Sequence, residues 1–280
     1  MEAIDNKVFA VWSPKGGVGK TFIAAHLAKY SASKRLLTGV IDFNRQTPSI
    51  TTSLEIKLPR EKSLKEALFT ERDTDVIVNF QNHHRDHNLF CLALNMINKV
   101  DDLLEVTDLQ VLRLLQIAKN KFNILFLDLP TSYFELTSYE GLKFADKIIV
   151  VIDNDYNSIL ALKQYLRLFT EINIAHSNII LVVNKNMNLI SEEEILKLCS
   201  IPIRAIFPFN KHLIRDMNEG KTVFENGGGL KDRRLIKGIE DIFSLLITDN
   251  HSTSKRHPPV LTRTMSILNK YKKLEVWKNE

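Results

Sequence analysis

The residues with the clearest chemical potential form a short glycine-rich stretch near the start of the chain. Between an apolar run and a segment of helical periodicity stand Lys15, Gly16, Gly17, Val18, Gly19, Lys20 and Thr21. Three glycines let backbone N–H groups turn inward around an anion, and a helix N-terminus adds the positive end of its dipole. Lys20 could then reach the β- and γ-phosphates of a nucleotide, and the Thr21 hydroxyl could join the ligands of Mg²⁺. The stretch therefore predicts a phosphate-binding loop.

The strict phosphate-loop pattern requires glycine at position 14, where this chain has Pro14. The alternative interpretation is a glycine-rich turn before an ordinary helix. The order of apolar strand, glycine loop, Lys-Thr pair and helix favours the phosphate-binding loop, because this order is the structural context that the motif requires.

Polar side chains also close two later apolar runs. Asp42 and Asn44 follow one run, and Asp128 ends the run 124–127. Ligands of open α/β sheets lie beyond the carboxyl ends of the strands, so Asp128 is placed to hold a water bound to Mg²⁺. Many strands end in Asp, and the phosphate loop upstream is what favours this role.

Short apolar runs rich in β-branched residues alternate with longer segments of helical periodicity. The predicted strands are 8–12, 37–41, 88–94, 124–127, 147–152, 179–183 and 203–207. The predicted helices are 20–30, 109–119, 159–172 and 230–246. Nearly continuous apolar runs are typical of central parallel strands covered on both faces. We therefore predict an α/β fold with a doubly wound, mostly parallel sheet and helices on both faces, as in P-loop NTPases.

Composition and charge separate a globular body from a basic tail. Of the 280 residues, 44% are apolar and 25% are charged, as in soluble globular proteins, and no apolar run reaches the roughly 18 residues of a membrane-spanning helix. The net charge of +5 resides entirely in residues 251–280. We predict a domain over 1–248, a linker over 249–260 and a basic amphipathic segment over 261–280. Two widely spaced cysteines and the lack of a secretion-signal layout favour the cytoplasm.

Residues 13–21, with the sequence SPKGGVGKT, resemble the deviant Walker A motif of the MinD/ParA ATPases of the SIMIBI class, and the resemblance covers residues 8–246. It implies ATP or ADP and Mg²⁺ as cofactors. It also implies that Lys15, the extra lysine before the glycines, reaches across a two-fold interface to the nucleotide of a partner subunit. A second cation beside the phosphates would favour an ATP-bound homodimer. The alternative for Lys15 is a solvated loop lysine.

The resemblance implies a catalytic group of Lys15, Lys20, Asp42 and Asn44. Asp42 corresponds to an acid of the network around Mg²⁺ and the phosphate-binding lysine. Asn44 occupies the position of a second acid that positions or activates the attacking water. An amide can orient water but cannot accept its proton as a carboxylate can. The sequence therefore predicts a weak ATPase whose hydrolysis is slow or absent.

The same resemblance extends the nucleotide site to later strands. Asn184 offers a donor and an acceptor to the adenine edge, although an Asn in a turn after a strand is an alternative. Pro208 and Phe209 are expected to pack against the adenine. The residues expected to bind the nucleotide are Lys15, Gly16, Gly17, Val18, Gly19, Lys20, Thr21, Phe22, Asn184, Pro208 and Phe209. The residues expected to bind Mg²⁺ are Thr21 and Asp128, the latter through water.

Two further clusters are discounted. His83, His84, His87 and Cys91 are residue types that bind transition metals, but their spacing gives no clear four-ligand pattern and their neighbours are typical of a solvated loop. Glycines 227–229 lack a following Lys-Ser/Thr pair and a preceding strand, so a flexible turn is predicted there.

The basic tail has its own pattern. Apolar side chains recur every three to four residues, at Leu261, Met265, Leu268, Tyr271, Leu274 and Trp277. With lysines between them, they suit an interfacial helix on an anionic membrane surface, and docking on a subunit is the alternative. A DNA-binding interpretation combines the tail with cations that could equally face solvent on the last helix. These are Lys231, Arg233, Arg234 and Lys237.

Together these features predict an ATP-dependent, dimerising switch protein that positions or recruits a larger cellular assembly through a protein partner. Residues 63–68, the strand near 89–94 and the sequence Asp128-Leu129-Pro130 favour the CpaE/TadZ-like pilus-assembly branch, with the flagellar regulators as near neighbours. The alternatives are a ParA-like partition ATPase that binds DNA and a non-hydrolysing, nucleotide-bound scaffold. The expected location is the cytoplasm, with peripheral attachment to a membrane as an option.

Overall fold

The computed structural model describes residues 6–95, 98, 103, 105–224 and 233–248. The predicted linker 249–260, the basic segment 261–280, the glycine turn 227–229 and Lys231 lie outside the described residues. Among the helices that are described, none combines the length and the apolar character needed to cross a bilayer.

An eight-stranded sheet forms the centre of the described region. Its strands are β1 (Lys7–Trp12), β2 (Thr38–Asp42), β3 (Gln81–Asn82), β4 (Leu89–Leu92), β5 (Ile124–Asp128), β6 (Lys147–Asp153), β7 (Ile179–Asn186) and β8 (Ile203–Pro208). Their spatial order is β3-β4-β2-β5-β1-β6-β7-β8. β3 pairs antiparallel with β4, and the other neighbours pair in parallel. The carboxyl ends of the parallel strands therefore meet at one edge, where α/β proteins bind ligands.

Helices cover both faces of this sheet. They are α1 (Lys20–Ser33), α2 (Ile50–Ser53), α3 (Leu64–Phe69), α4 (Asp73–Val78), α5 (Asp108–Lys121), α6 (Leu136–Phe144), α7 (Tyr156–Glu171), α8 (Glu192–Cys199), α9 (Lys211–Asn218) and α10 (Arg233–Ile247). α5 begins with a capping box, in which Thr107 and Gln110 exchange side-chain and backbone hydrogen bonds. Asp155 caps the start of α7, because its carboxylate accepts the N–H of Asn157. Local sequence thus fixes where these helices start.

Alternation along the strands explains the two-sided core. In β1, Val8, Ala10 and Trp12 pack into the apolar cluster that includes α5 and α7, whereas Phe9 and Val11 pack into the cluster that includes α1 and α10. All five side chains are fully buried. In a strand that is covered on both faces, neither set of alternating side chains reaches water. For this reason its sequence is continuously apolar.

The predicted mostly parallel, doubly wound sheet is confirmed, and the differences are local. β3 is a two-residue antiparallel edge strand, too short to produce a hydrophobic pattern. The periodicity does not predict α2, α3, α4, α6 or α8, because segments of four to nine residues give a weak helical signal. β7 continues to Asn186, so Asn184 lies within the strand rather than after it.

Candidate nucleotide-binding site

The loop between β1 and α1 has the backbone shape that its glycines permit. Gly17 and Gly19 have φ angles of +76° and +98°, in the left-handed region that favours glycine. A Cβ added to Gly19 would lie 2.3 Å from Nδ2 of Asn184, so a larger residue would push against the end of β7. Gly16 and Gly17 are exposed at the tip of the loop. α1 starts at Lys20, so the N-terminus of this helix follows directly on the loop.

Lys20 is buried beneath this loop and is surrounded by acids. Its Nζ donates a hydrogen bond to Oγ1 of Thr131 over 2.8 Å. Burial lowers the pKa of Lys20, and the nearby carboxylates of Asp128 and Asp42 oppose this shift. A cation that has lost most of its water interacts strongly with a polyanion that approaches it. Lys20 is therefore placed to bind a phosphate of a nucleotide that its own subunit holds.

Thr21 and Asp128 form the pair expected at Mg²⁺. The Thr21 hydroxyl donates to Oδ2 of Asp128 over 2.6 Å. Within the described part of the chain, Oδ1 of Asp128 is buried and has no hydrogen-bond partner. Burial, and then the charge of Asp42, raise the pKa of Asp128 to about 8. A buried carboxylate oxygen without a donor, beside a hydroxyl oxygen, is the type of donor set that Mg²⁺ prefers, so these residues fit the ion.

Asp42 shapes the loop that follows β2. Its carboxylate accepts the backbone N–H groups of Asn44 and Ser49, both over 2.9 Å, and of Ile50 over 3.1 Å. Burial raises the pKa of Asp42 to about 6, although these hydrogen bonds oppose the shift. The Ser49 hydroxyl is 3.4 Å from Oγ1 of Thr21, which ties the loop to the start of α1. The role of Asp42 in this arrangement is to hold the loop and to place a negative charge near Lys20.

Asn44 lies in the same loop, followed by a charged residue that no motif indicated. Oδ1 of Asn44 lies 3.5 Å from the N–H of Thr47. Nε of Arg45 is 3.3 Å from Oε2 of Glu135, which lies in the loop between β5 and α6. Neither Arg45 nor Glu135 was expected at the site, because ninety residues separate them and only the adjacency of β2 and β5 brings them together.

Lys15 lies on the open side of the loop and binds two acids of its own chain. Its Nζ is 3.3 Å from Oδ2 of Asp153 and 2.6 Å from Oδ2 of Asp155. The hydrogen bond between Lys15 and Asp155 raises the pKa of Lys15 and lowers that of Asp155. Neither acid belongs to the predicted site, although Asp153 ends β6 just as Asp128 ends β5, and this shared pattern could have identified Asp153.

The end of β7 supports the loop from the other side. Nδ2 of Asn184 donates to the carbonyl oxygen of Val18 over 2.8 Å, and Nζ of Lys185 donates to that of Gly17. Asn184 therefore lies at the loop, and its amide N–H binds the loop backbone. The contact with the adenine edge that the resemblance implies stays a prediction. Lys185 is a further loop contact that the motif does not reveal.

The other residues expected to contact the nucleotide are Pro208, Phe209 and Phe22. Pro208 ends β8 and is in register with Asn186 of β7. Phe209 donates its N–H to the Asn186 carbonyl over 3.1 Å, and its side chain is exposed. The ring of Phe22 lies 4.2 Å from the ring of His26, one turn later in α1. The structure thus brings Pro208 to the end of β7, while Phe22 packs along α1.

The histidine cluster is held by hydrogen bonds. Nδ1 of His83 accepts the N–H groups of Arg85 and Asp86 over 3.1 and 3.0 Å, and its Nε2 lies 3.1 Å from Nζ of Lys29. Across the residues that the structure describes, there is no group of three or more His, Cys, Asp or Glu side chains that could hold a metal ion. His83 therefore stabilises the turn before β4.

Comparison with known proteins finds a matching family and similar folds. A family described as an AAA domain matches residues 6–189. The septum site-determining protein MinD of Buchnera aphidicola is 23% identical over 232 residues, which cover 78% of this chain and 83% of that protein. A ParA family ATPase from Chlorobium tepidum superimposes with a TM-score of 0.72 at 18% identity, covering 84% of this chain and 99% of the other. MinD from Pyrococcus horikoshii, solved with Mg-ADP, gives 0.71 at 15% identity, covering 84% and 95%.

Proposed function

Because the chain belongs to the MinD/ParA family of ATPases, we propose that it binds ATP with Mg²⁺ and acts as a nucleotide switch that positions or recruits a larger cellular assembly. The observation that carries this proposal is the buried group beneath the glycine loop. Lys20 supplies a desolvated cation, and Asp128 supplies a buried oxygen without a donor next to the Thr21 hydroxyl. The cation fits a triphosphate and the oxygens fit its metal ion.

Each residue at the loop has a separate task in this proposal. The glycines let backbone N–H groups surround the phosphates, and Lys20 binds the β- and γ-phosphates. Thr21 and Asp128 hold Mg²⁺, Asp128 through water. When bound, Mg²⁺ neutralises part of the phosphate charge. Asp42 keeps the loop after β2 in place through three backbone hydrogen bonds.

Slow turnover is the second part of the proposal. Asn44 follows Asp42 by two residues, and its amide can orient a water molecule but cannot take its proton. The ATP-bound state would then persist, which suits a switch that holds an assembly in place. A scaffold that binds ATP without hydrolysing it is the limiting case of this idea.

ATP-dependent pairing is the third part. Lys15 is partly exposed at the loop and bound to Asp153 and Asp155, and an ion pair that water reaches is weak enough to be exchanged for another partner. We propose that Lys15 transfers to the phosphates bound by a second copy. The ion pairs with Asp153 and Asp155 would then belong to the unpaired subunit.

A DNA-binding partition ATPase is the second candidate. Arg233, Arg234 and Lys237 are exposed on α10. Clustered cations bind DNA phosphates without sequence preference, and such binding weakens steeply with salt. The membrane alternative relies on residues 261–280. Salt-sensitive binding to duplex DNA would favour partition, and vesicle binding that is lost on deletion of residues 260–280 would favour recruitment to a membrane.

One experiment tests the three parts together. The mass of the full chain in solution is measured without nucleotide, with MgADP and with MgATP, alongside phosphate release. The switch predicts monomers in the first two conditions, dimers with MgATP and slow release. Dimers with MgATP and no release would favour the scaffold. A mass that is the same in all three conditions would contradict the switch.

A further inference from the structure

The loops that follow β2 and β5 are joined by one ion pair. Arg45 belongs to the first loop and Glu135 to the second, and Nε of Arg45 lies 3.3 Å from Oε2 of Glu135. Their side chains are 24% and 26% exposed, so water screens the pair only in part. The two loops leave neighbouring parallel strands, whose last residues, Asp42 and Asp128, are in register. The pair therefore spans the gap between two loops that start side by side.

Each loop is also tied to the phosphate side of the site at another point. Asp42 holds the first loop through the N–H groups of Asn44, Ser49 and Ile50. Lys20 holds the second loop through its hydrogen bond to Thr131. These contacts fix both ends of the first loop to the last residue of β2, and the beginning of the second loop to α1. The N–H of Phe43 also donates to the Asp128 carbonyl, where the two loops leave their strands. Farther along, the Arg45–Glu135 pair links the two loops to each other.

We propose that Arg45 and Glu135 are positioning residues that latch these two loops together, so that both respond to the terminal phosphate of ATP as one unit. The part concerning ATP rests on the proposed function, whereas the mechanical part does not. Asn44 precedes Arg45 directly, and Thr131 precedes Glu135 by four residues. A latch at this point sets the separation between the amide that would orient water and the hydroxyl that contacts Lys20.

A surface ion pair without this role would behave differently. Its loss would change global stability slightly and would affect ATP and ADP alike. The latch affects the loops locally, because local opening depends on the few contacts that hold a loop. It also affects ATP more than ADP, because ADP lacks the terminal phosphate to which the proposal couples the two loops.

The test uses five variants of the full chain. Arg45→Gln and Glu135→Gln break the pair from either side, and their combination removes both charges. Arg45→Glu with Glu135→Arg reverses the pair. Lys119→Gln is the matched control, because it breaks the Lys119–Asp146 pair, whose length is 3.4 Å and whose side chains are 24% and 35% exposed. That pair lies at the amino end of β6, away from the site.

Hydrogen exchange of the nucleotide-free protein tests the mechanical part. The latch predicts that either single variant raises exchange in both segments, 43–50 and 130–136, and that the double variant raises it no further. The reversed pair should restore protection, and Lys119→Gln should leave both segments unchanged. If Arg45→Gln affected only its own segment, or if the two single effects added in the double variant, the latch would be wrong.

Calorimetry with MgATP and MgADP tests the functional part. Each single variant should weaken MgATP binding by about threefold to fivefold, the size expected of a partly exposed ion pair, and should leave MgADP binding unchanged. An equal loss for both nucleotides would overturn the coupling to the terminal phosphate. If the wild type bound neither nucleotide, the proposed function would fail, and the exchange results would still decide whether the two loops are latched.

Discussion

Two lysines in one loop, five residues apart, have opposite environments. Lys20 is buried, and burial lowers its pKa. Lys15 is partly exposed, and its hydrogen bond to Asp155 raises its pKa. Lys20 lies near the buried carboxyl groups of Asp42 and Asp128, whereas the side chains of Asp153 and Asp155 beside Lys15 are 22% and 39% exposed. The same chemical group is therefore prepared in one case for a fixed internal ligand and in the other for an exchangeable one.

This difference explains how one segment of the chain could bind a nucleotide through Lys20 and make pairing with a second subunit depend on that nucleotide through Lys15. A buried cation interacts strongly with a phosphate that replaces its lost water. Removal of Lys20 should therefore weaken nucleotide binding severely. An exposed cation in a screened ion pair can change partners at little cost, so its loss should be mild and should affect pairing rather than binding. The predictions below test this contrast, in order of decreasing expected effect.

The largest effect is expected for Lys20→Ala. Removal of the buried cation should weaken MgATP binding by about a hundredfold or more, because the loss of one partner of a desolvated charged interaction costs several kcal/mol. Lys34→Ala is the control, since Lys34 is exposed just beyond the other end of α1. Calorimetry measures the affinities, and thermal unfolding confirms that both variants fold. If Lys20→Ala bound MgATP like Lys34→Ala, the buried lysine would not be the phosphate ligand.

The buried acids should make stability depend on pH. The folded pKa of Asp128 is about 8, above its ordinary value of 3.8, so the folded state holds its proton more tightly than the unfolded state does. Stability from this group is therefore complete below about pH 4 and is lost as the pH rises through 8. Between pH 6 and 8.5 the nucleotide-free protein should lose roughly 2 kcal/mol of unfolding free energy through this group.

Asp128→Asn isolates that contribution, because the amide keeps the shape and cannot ionise. Chemical unfolding of both proteins across the same pH range gives the difference between their unfolding free energies. The contributions of the histidines are the same in both proteins and cancel in this difference. Asp42, whose pKa is raised to about 6, acts in the same direction at lower pH. An identical pH dependence in the two proteins would show that Asp128 is not the titrating group.

Asn44→Asp should increase phosphate release by about tenfold, because a carboxylate can accept the proton of the attacking water. The variant places a carboxylate two residues after Asp42, at the position where the proposal needs a base. Single-turnover measurements separate this chemical step from binding. A brisk wild-type rate that the substitution leaves unchanged would contradict the idea that the amide limits turnover.

Lys15→Ala should have the smallest effect on binding. MgATP affinity should stay near that of the wild type, while the MgATP-dependent dimer should weaken by about fivefold, as expected of an exposed charge. Asp155→Asn is the companion variant, since it removes the shorter of the two ion pairs of Lys15 and can still cap α7. Sedimentation at several protein concentrations measures both. If Lys15→Ala paired as tightly as the wild type, the role of Lys15 across the interface would be wrong.

The sequence predicts the buried half of this contrast better than the exposed half. Gly19, Lys20, Thr21 and Asp128 belong to local patterns, because a tight turn, a helix start and a strand end each leave a signature over a few residues. The parallel sheet follows in the same way from its continuous apolar runs. These features are encoded by neighbours along the chain.

The partners of Lys15 and the Arg45–Glu135 pair could not be predicted in that way. Arg45 and Glu135 meet because β2 and β5 are adjacent in a strand order that single runs do not specify. Asp155 functions as a helix cap and also binds Lys15, and only the first role has a local signature. Long-range contacts between charged side chains leave no local pattern in the sequence, and only the structure reveals them.

Titration of the folded chain with MgATP in a calorimeter tests the central claim most directly. We expect heat that saturates at one nucleotide per chain, and no heat from Lys20→Ala under the same conditions. A chain that unfolds cooperatively on heating, and so is folded, yet gives no heat with MgATP would show that the glycine loop does not bind a nucleotide.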